Sequence, residues 1–330
     1  MSDHPASDWA DIDVIILSWD RTPETIEAIE SALAQERVHQ RVLVLDQGSK
    51  PENLEQLRRV AASDPRIVLR EVGHNVGVAA GRNLASDLGQ GRYIVALDND
   101  AVFTDNLVLA RVAATFAADP SLGALAFRIL NFYSGADDEM CWDYPEALRP
   151  YADREFDVTR YIGAGHALRR DAFYGAGKYD ESLFFAGEER DVSYRILNLG
   201  YRIKYAPHLA VRHKVLPGQR VRWDGGRYYY SVRNILYSDF KFGRSPLYLA
   251  KSVAALTLKG AYNGVGKQAM RGAWDAVRMA RRFARSRQNE AALYRLKPDV
   301  RAHIRACERI GRGGIMAGVA RQFQRLPGSI

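Results

Sequence analysis

RYIVALDND (92–100) reads as a short apolar strand, YIVAL, that runs straight into Asp98, Asn99 and Asp100. A continuous apolar run of this length suits a strand covered on both faces. The same pattern recurs upstream. DVIILSW (13–19) leads into Ser18, Trp19 and Asp20, and RVLVLDQGS (41–49) ends in an Asp46-Gln47-Gly48-Ser49 turn signal. RIVLREVG (66–73) is a shorter third strand. Helical patterns lie between them. Thr22 is placed to cap a segment with Pro23 at its first helical position, Glu24 in the first turn, and Ile26, Ile29 and Leu33 at helical spacing. NLEQLRRVAAS (53–63), GVAAGRNLASDLG (77–89) and LVLARVAATFAAD (107–119) read as further helices, the second ending at a glycine. LGALAFRIL (122–130) is another strand.

This alternation predicts an α/β fold, a mainly parallel sheet with helices on both faces. Ligands of such sheets sit beyond the carboxyl ends of the strands. The clusters at Ser18–Asp20, Asp46–Ser49 and Asp98–Asp100 are therefore expected on one rim. Residues 131–160, with Asp137, Asp138, Glu139, Trp142, Tyr144 and Tyr151, are turn-rich and expected to run over the surface. A helix at 188–199 and a strand at 201–205 follow.

Composition narrows the class. The 330 residues are 47% hydrophobic and 26% charged, which excludes a disordered chain and a multi-span membrane protein. Cys141 and Cys307 are too few for a disulfide scaffold or a Cys-only zinc site. MSDHPASDWADID lacks the basic start and apolar run of a signal peptide, and no window of about 18 residues is free of charge. A cytoplasmic location is expected. The net charge of +8 is unevenly spread: residues 217–330 hold 23 Lys and Arg against 6 Asp and Glu, while residues 1–216 are acidic overall. A catalytic unit over 1–216 and a basic, aromatic-rich helical region over 217–330 are expected. Basic regions of this kind meet anionic surfaces. Within it, GAWDAVRMARRFARSR (272–287) sets Trp274, Val277 and Phe283 among Arg278, Arg281, Arg282, Arg285 and Arg287, a pattern that suits an interfacial helix.

Three clusters can carry chemistry. Asp98 and Asp100, two residues apart at a strand end, can bind a hard divalent cation through oxygen, or close a solvated Asx turn. Glu188, Glu189 and Asp191 sit at a helix start, where carboxylates suit the dipole and where one of a crowded pair can act as a general base. Arg195 lies four residues after Asp191, at ion-pair spacing. His213 follows a late strand in YRIKYAPHLAVRHK (201–214) and would complete a Mn²⁺- or Mg²⁺-type site if the fold brings it to Asp100.

In this order, SWDR, VLVLDQGS, GHNVGVAAGRN, ALDNDAVF, FFAGEERDVSYR and GYRIKYAPHLAVRH resemble the inverting, nucleotide-sugar-dependent glycosyltransferases of family 2, over roughly residues 12–240. The resemblance implies the GT-A fold and roles for matching positions. Ser18, Trp19 and Asp20 line the nucleotide pocket, Asp46 contacts a uracil or thymine base, and Asn75, Gly77, Arg82 and Asn83 border the nucleotide. Asp98, Asn99 and Asp100 form the Asp-x-Asp motif, with Asp100 the direct metal ligand and His213 a further one. YIGAGHALRR (161–170), with Gly163, Ala164, Gly165 and His166, faces the donor sugar and acceptor. Many relatives carry Glu-Asp-x-Asp-Leu; here Glu188-Glu189-Arg190-Asp191-Val192 aligns Glu189 with the base and leaves Glu188 as competitor. The Gln-x-x-Arg-Trp motif of processive synthases is absent, RVRWDGGR (220–227) carrying only Arg-Trp.

The resulting expectation is a non-processive, metal-dependent enzyme. It moves a sugar from a UDP- or dTDP-sugar to a glycan or lipid-linked acceptor, with Mn²⁺ or Mg²⁺ as cofactor. Docking on an anionic membrane face and a homo-oligomer are both open; no nucleic acid is expected. Two other readings are a sugar-phosphate nucleotidyltransferase, which would need a Gly-rich basic signature where SWDRTPET stands, and a nucleic-acid-binding protein. The latter would use Tyr228, Tyr229, Tyr230 and Tyr237 to stack on bases.

Overall fold

A computed structural model of the chain describes residues 9–214, 222–286, 291–311 and 315–326. The boundary expected at 216/217 lies outside these residues. The first half alternates as the sequence predicts: β1 (Asp11–Ser18), α1 (Thr22–Leu33), β2 (His39–Asp46), α2 (Pro51–Ser63), β3 (Ile67–Glu71), α3 (Val78–Ser86), β4 (Tyr93–Leu97), β5 (Ala101–Phe103), α4 (Val108–Ala118) and β6 (Leu122–Asn131). After β6 come two short 3₁₀ turns, β7 (Phe156–Asp157), β8 (Gly165–Arg169), α5 (Arg170–Gly175), α6 (Glu188–Asn198) and β9 (Arg202–His213).

The nine strands form one sheet in the order β3-β2-β1-β4-β8-β6-β9-β5, with β7 pairing to β9. β3, β2, β1 and β4 are parallel. Beyond β4 the sheet turns mixed: β8 runs antiparallel to β4 and β6, and β5 antiparallel to β9. The expectation of a mainly parallel sheet thus holds for its first half. β1 lies between β2 and β4, so the crevice beyond its carboxyl end is the topological switch point where such sheets bind ligands. Ser18 and Asp46 pair in register there.

Two apolar layers cover the sheet. Ile12, Val14, Ile16, Val95 and Phe116 lie in one; Ile15, Leu43, Ile94, Phe173 and Tyr205 lie in the other, as alternation along β1 requires. Phe242, Tyr294, Leu296, Val300 and Ile304 join the second layer, so the C-terminal helices share a core with the sheet. These are α7 (Tyr228–Lys241), α8 (Pro246–Tyr262), α9 (Gly266–Ser286), α10 (Ala291–Tyr294), α11 (Pro298–Arg309) and α12 (Ile315–Ala320). None of the described helices is long and apolar enough to cross a membrane.

Three local expectations are corrected. Thr22 does not cap α1 from outside; it is the first helical residue, fully buried, behind Arg21. α3 stops at Ser86 rather than at Gly89, with Asp87 as its cap. Residues 131–160 are more than a surface excursion, because Trp142 and Tyr144 pack edge-on against each other and against Tyr205 of β9.

Candidate active site

The rim beyond β1, β2 and β4 gathers the polar strand ends. Asp20 has a left-handed backbone, φ 57°, and its Oδ1 accepts from the Lys50 N–H at 2.7 Å and from Asn53 Nδ2 at 3.0 Å. The Lys50 N–H, then Asn53, hold the Asp20 carboxyl below its ordinary range. The loops after β1 and β2 are therefore laced together. Gln47 extends the lacing, its Oε1 accepting from the Val76 N–H at 3.1 Å. Gly77 follows with φ 87°, and a Cβ there would fall 2.5 Å from the Phe184 carbonyl oxygen. Only glycine permits that approach between the turn before α3 and the turn before α6. Trp19, the residue after β1, is exposed.

At the end of β4, Asp98 keeps 40% of its side chain exposed while Asp100 is buried. β5 pairs Ala101 directly with His213 of β9. That pairing carries the histidine to the Asp-x-Asp turn, with Nε2 3.2 Å from Asp100 Oδ1. Its Nδ1 lies 3.2 Å from Asp138 Oδ2 and 3.6 Å from Cys141 Sγ. Burial alone would lower the His213 pKa; the hydrogen bonds to Asp100 and Asp138 carry it up to about 12. Burial pushes the Asp100 carboxyl up, but His213 and Arg21 outweigh it and bring it below its ordinary range. Arg21 Nη1 is 2.6 Å from Asp100 Oδ2.

The ligand atoms of Asp98, Asp100 and His213 all lie within 4.8 Å of one another. Two carboxylates and an imidazole form a donor set suited to Mn²⁺ or Mg²⁺, and the residues fit such an ion. Asp138 on the far nitrogen of the imidazole is the outer partner that orients a ligating histidine. Asp138, Cys141 and His213 form a second group by the same distance measure, sharing the one imidazole.

Across the cleft, α6 begins after a strained turn. Phe184 and Ala186 have φ of 32° and 66°, and Gly187 has 89°. Asn234 of α7, fully buried, clamps that turn: its Nδ2 donates to the carbonyls of Leu183 at 2.9 Å, Phe185 at 2.8 Å and Ala186 at 2.6 Å. The turn delivers Glu189 to the cleft, where its Oε1 accepts from Arg82 Nη1 at 2.9 Å. Arg82 Nη2 reaches Asp98 Oδ1 at 3.2 Å and the Gly163 carbonyl at 2.9 Å. A Cβ on Gly163 would meet Glu189 Oε1 at 2.6 Å, so the glycine makes room for the carboxylate. Glu188 faces inward, and its Oε2 finds no hydrogen-bond partner among the described residues. Burial, with Glu189 adding to it, raises the Glu188 carboxyl well above its ordinary range.

Residues 13–175 match the family model described as glycosyl transferase family 2. They belong to that family. The fold of this family 2 domain is GT-A, as in the mannosyltransferase PcManGT from Pyrobaculum calidifontis, whose solved structure holds GDP-Man and Mn²⁺. That chain superposes with a TM-score of 0.56 at 18% identity, over 95% of this chain and 87% of the other. An uncharacterized protein of Haemophilus influenzae is 27% identical over 178 residues, 50% of this chain and 91% of that one. A provisionally named colanic acid biosynthesis glycosyl transferase of Escherichia coli (strain K12), WcaA, is 30% identical over 180 residues, 52% of this chain and 60% of that one. The chain spans about half the length of two further curated relatives.

Several residues expected in the site of the family 2 domain lie behind it instead. His166 is fully buried in β8, stacked on Tyr161, with Nδ1 donating to the Ile162 carbonyl at 3.0 Å. Asn83 points into the protein and closes a two-way hydrogen-bond pair with the Tyr179 backbone. Asp191 is fully buried and ion-paired to Arg195 at 2.7 Å and Lys241 at 2.5 Å, so it serves the fold rather than proton transfer. Asp46 is also fully buried; its Oδ1 accepts from the Gly48 and Ser49 N–H groups at 3.0 Å, so its carboxylate shapes the turn after β2. Ser18 is buried with its hydroxyl 3.5 Å from Thr25 Oγ1. Asn75 accepts from the Gly77 N–H, and Asn99 donates to Thr25. Ala164 accepts from the Asp98 N–H at 3.3 Å, and Gly165 lies inside the sheet against Val211. Arg21 also reaches Asp100, Asp138 reaches His213 and Asn234 reaches the turn before α6, and the sequence reading gave them no part there. The tyrosines of α7 close the core rather than offering a stacking surface: Tyr228 and Tyr237 are buried and Tyr230 stacks on Phe184.

Proposed function

We propose that the chain is an inverting, metal-dependent, non-processive glycosyltransferase. It would move one sugar from a UDP- or dTDP-sugar to a hydroxyl of a glycan or lipid-linked acceptor. The observation that carries this reading is the Arg82 bridge, which ties Glu189 to Asp98 across the cleft. Residues 1–216 are proposed as the catalytic unit, with the clamp from Asn234 as the contribution of the region after it.

In this reaction the acceptor oxygen bonds to the anomeric carbon while its proton passes to Glu189. The bond from that carbon to the diphosphate breaks, and its electron pair leaves with the diphosphate. A single displacement from the opposite face inverts the configuration. Glu188 is buried and its carboxyl is pushed up by that burial and by Glu189, whereas Glu189 reaches the cleft and is the proposed acceptor of the proton. Arg82 fixes where that carboxylate stands, and Arg21 adds a cation at the diphosphate side of the rim. A divalent ion held by Asp98, Asp100 and His213 would supply the charge that stabilises the leaving group.

The test is release of nucleoside diphosphate from UDP-, dTDP- and GDP-sugars, with Mn²⁺ and Mg²⁺ in parallel, followed by NMR of the product's anomeric proton. Pyrimidine donors and an inverted product are expected. A retained configuration would rule out the single displacement, and turnover of GDP-sugars alone would overturn the donor assignment.

A further inference from the structure

α9 has two unlike faces. Ala269, Ala276 and Ala280 are buried, and Phe283 turns inward against Tyr237, Phe240 and Tyr294. This corrects the expectation that Phe283 shares the outer face with Trp274 and Val277. The outer face instead carries Met270, Trp274 and Val277, exposed by 59%, 62% and 45%. Their spacing of four and three residues makes them one row along the helix. Lys267, Arg278, Arg281, Arg282 and Arg285 are exposed around that row, and none of the five pairs with an acid among the described residues. Asp275, the one acid of α9, is bound to the Tyr229 hydroxyl at 2.8 Å. Arg287 lies outside the described residues.

We propose that this face of α9 seats the protein on an anionic membrane surface. Met270, Trp274 and Val277 enter the boundary between headgroups and acyl chains, and the five cations meet lipid phosphates. The charge pattern selects this occupant. A second copy seated face to face would bring like charges together without a counter-charge. A nucleic acid would satisfy the cations but leave the aliphatic Met270 and Val277 without a partner. Residues 217–330 carry 23 basic against 6 acidic side chains, so the rest of the region adds attraction of the same sign. The inference does not depend on the sugar transferred.

The test uses the whole chain with vesicles of phosphatidylcholine alone and of phosphatidylcholine with phosphatidylglycerol. Co-sedimentation is expected only with the anionic vesicles, weakening as salt is raised. Each cation replaced by Gln among Arg278, Arg281 and Arg285 is expected to lower partitioning about fivefold. Trp274→Ala, at an exposed site, is expected to lower it about tenfold or more, and the wild-type tryptophan emission should shift blue with anionic vesicles and not in that variant. Far-UV circular dichroism checks that the variants fold. Failure to bind anionic vesicles at low salt overturns the proposal. So does binding unchanged by Trp274→Ala, a monomer–dimer equilibrium abolished by that variant, or retention of DNA at salt that releases the vesicles.

Discussion

Arg82 on α3 and Glu189 on α6, 107 residues apart in the chain, meet at 2.9 Å. The guanidinium is buried, and a buried cation is tolerated only where its donors are taken up. Glu189, Asp98 and the Gly163 carbonyl take them up, and each belongs to a different wall of the cleft. Arg82 therefore sets the distance between the carboxylate proposed as base and the Asp-x-Asp turn.

Replacing Glu189 by Gln keeps the shape and removes the proton acceptor. kcat should fall by about 10²-fold or more, with donor affinity nearly unchanged. Glu188→Gln should keep most of the activity, because that side chain is buried away from the proposed acceptor path and burial already disfavours its charge. The reverse pattern would move the base to Glu188. Steady-state kinetics and calorimetric titration of nucleoside diphosphate separate the two.

The metal site should couple to pH. Holding an ion through His213 Nε2 requires loss of a ring proton, and the protonated ring is favoured up to about pH 12 without an ion. Mn²⁺ affinity should therefore rise as pH is raised from about 6 to about 8, with close to one proton released per ion. Calorimetry in buffers of different ionisation enthalpy counts that proton. Asp138→Asn should weaken the ion about 10- to 100-fold, as loss of the carboxylate that orients a ligating histidine does. An affinity flat with pH would mean that His213 is not a ligand.

Asn234 sits far along the chain from Glu189 yet holds its turn. In Asn234→Ala three carbonyls lose a buried donor, a cost of about 1–3 kcal/mol. The strained residues 184–187 should relax and Glu189 should drift. kcat should drop while donor KM stays near wild type, and thermal melting should fall by a few degrees. A stability loss with unchanged kcat would make the clamp structural only.

These residues show where the sequence was readable. β1, β2 and β4 were legible because each is a continuous apolar run closed by a polar turn. That Asp98, Asp100, His213 and Glu189 would be brought near one another was legible through the strand ends and the helix start that carry them. β8, GHALR, was not, since its polar Arg169 is satisfied in the core by the carbonyls of Leu122 and Phe116, about fifty residues away, and its His166 by the Tyr179 hydroxyl. Asn83, held by Tyr179 96 residues on, and Asp191, whose second partner Lys241 lies 50 residues beyond its legible pair with Arg195, are buried for the same reason. A polar residue satisfied in the core and one aimed at a ligand have the same letter, and only the partners distinguish them. Asp138 and Asn234 act at separations of 75 and 48 to 51 residues, which no local pattern records.

Lys241 tests the assignment of Asp191 to the fold. Its Nζ is fully buried, 2.6 Å from Asp180 and 2.5 Å from Asp191, joining α7 to the segment that precedes α6 and to α6 itself. Lys241→Met leaves two buried carboxylates facing a thioether, and unfolding free energy should fall by about 3–5 kcal/mol. The pH dependence follows from the shifts. Burial disfavours charge on Lys241, but Asp191 and Asp180 outweigh it and raise its pKa to about 12. That contribution is complete below the ordinary lysine value and is lost as pH rises toward 12. Asp180, brought down to about 2 by Lys241 against burial, contributes fully above its ordinary value and loses this as pH falls toward 2. Melting temperature should be level across the neutral range and drop at both ends, and Lys241→Met should flatten the alkaline limb. Asp191→Asn should also destabilise, yet at a temperature where it is folded its kcat should stay within a few-fold of wild type. A folded Asp191→Asn protein with kcat reduced as far as in Glu189→Gln would return Asp191 to the chemistry.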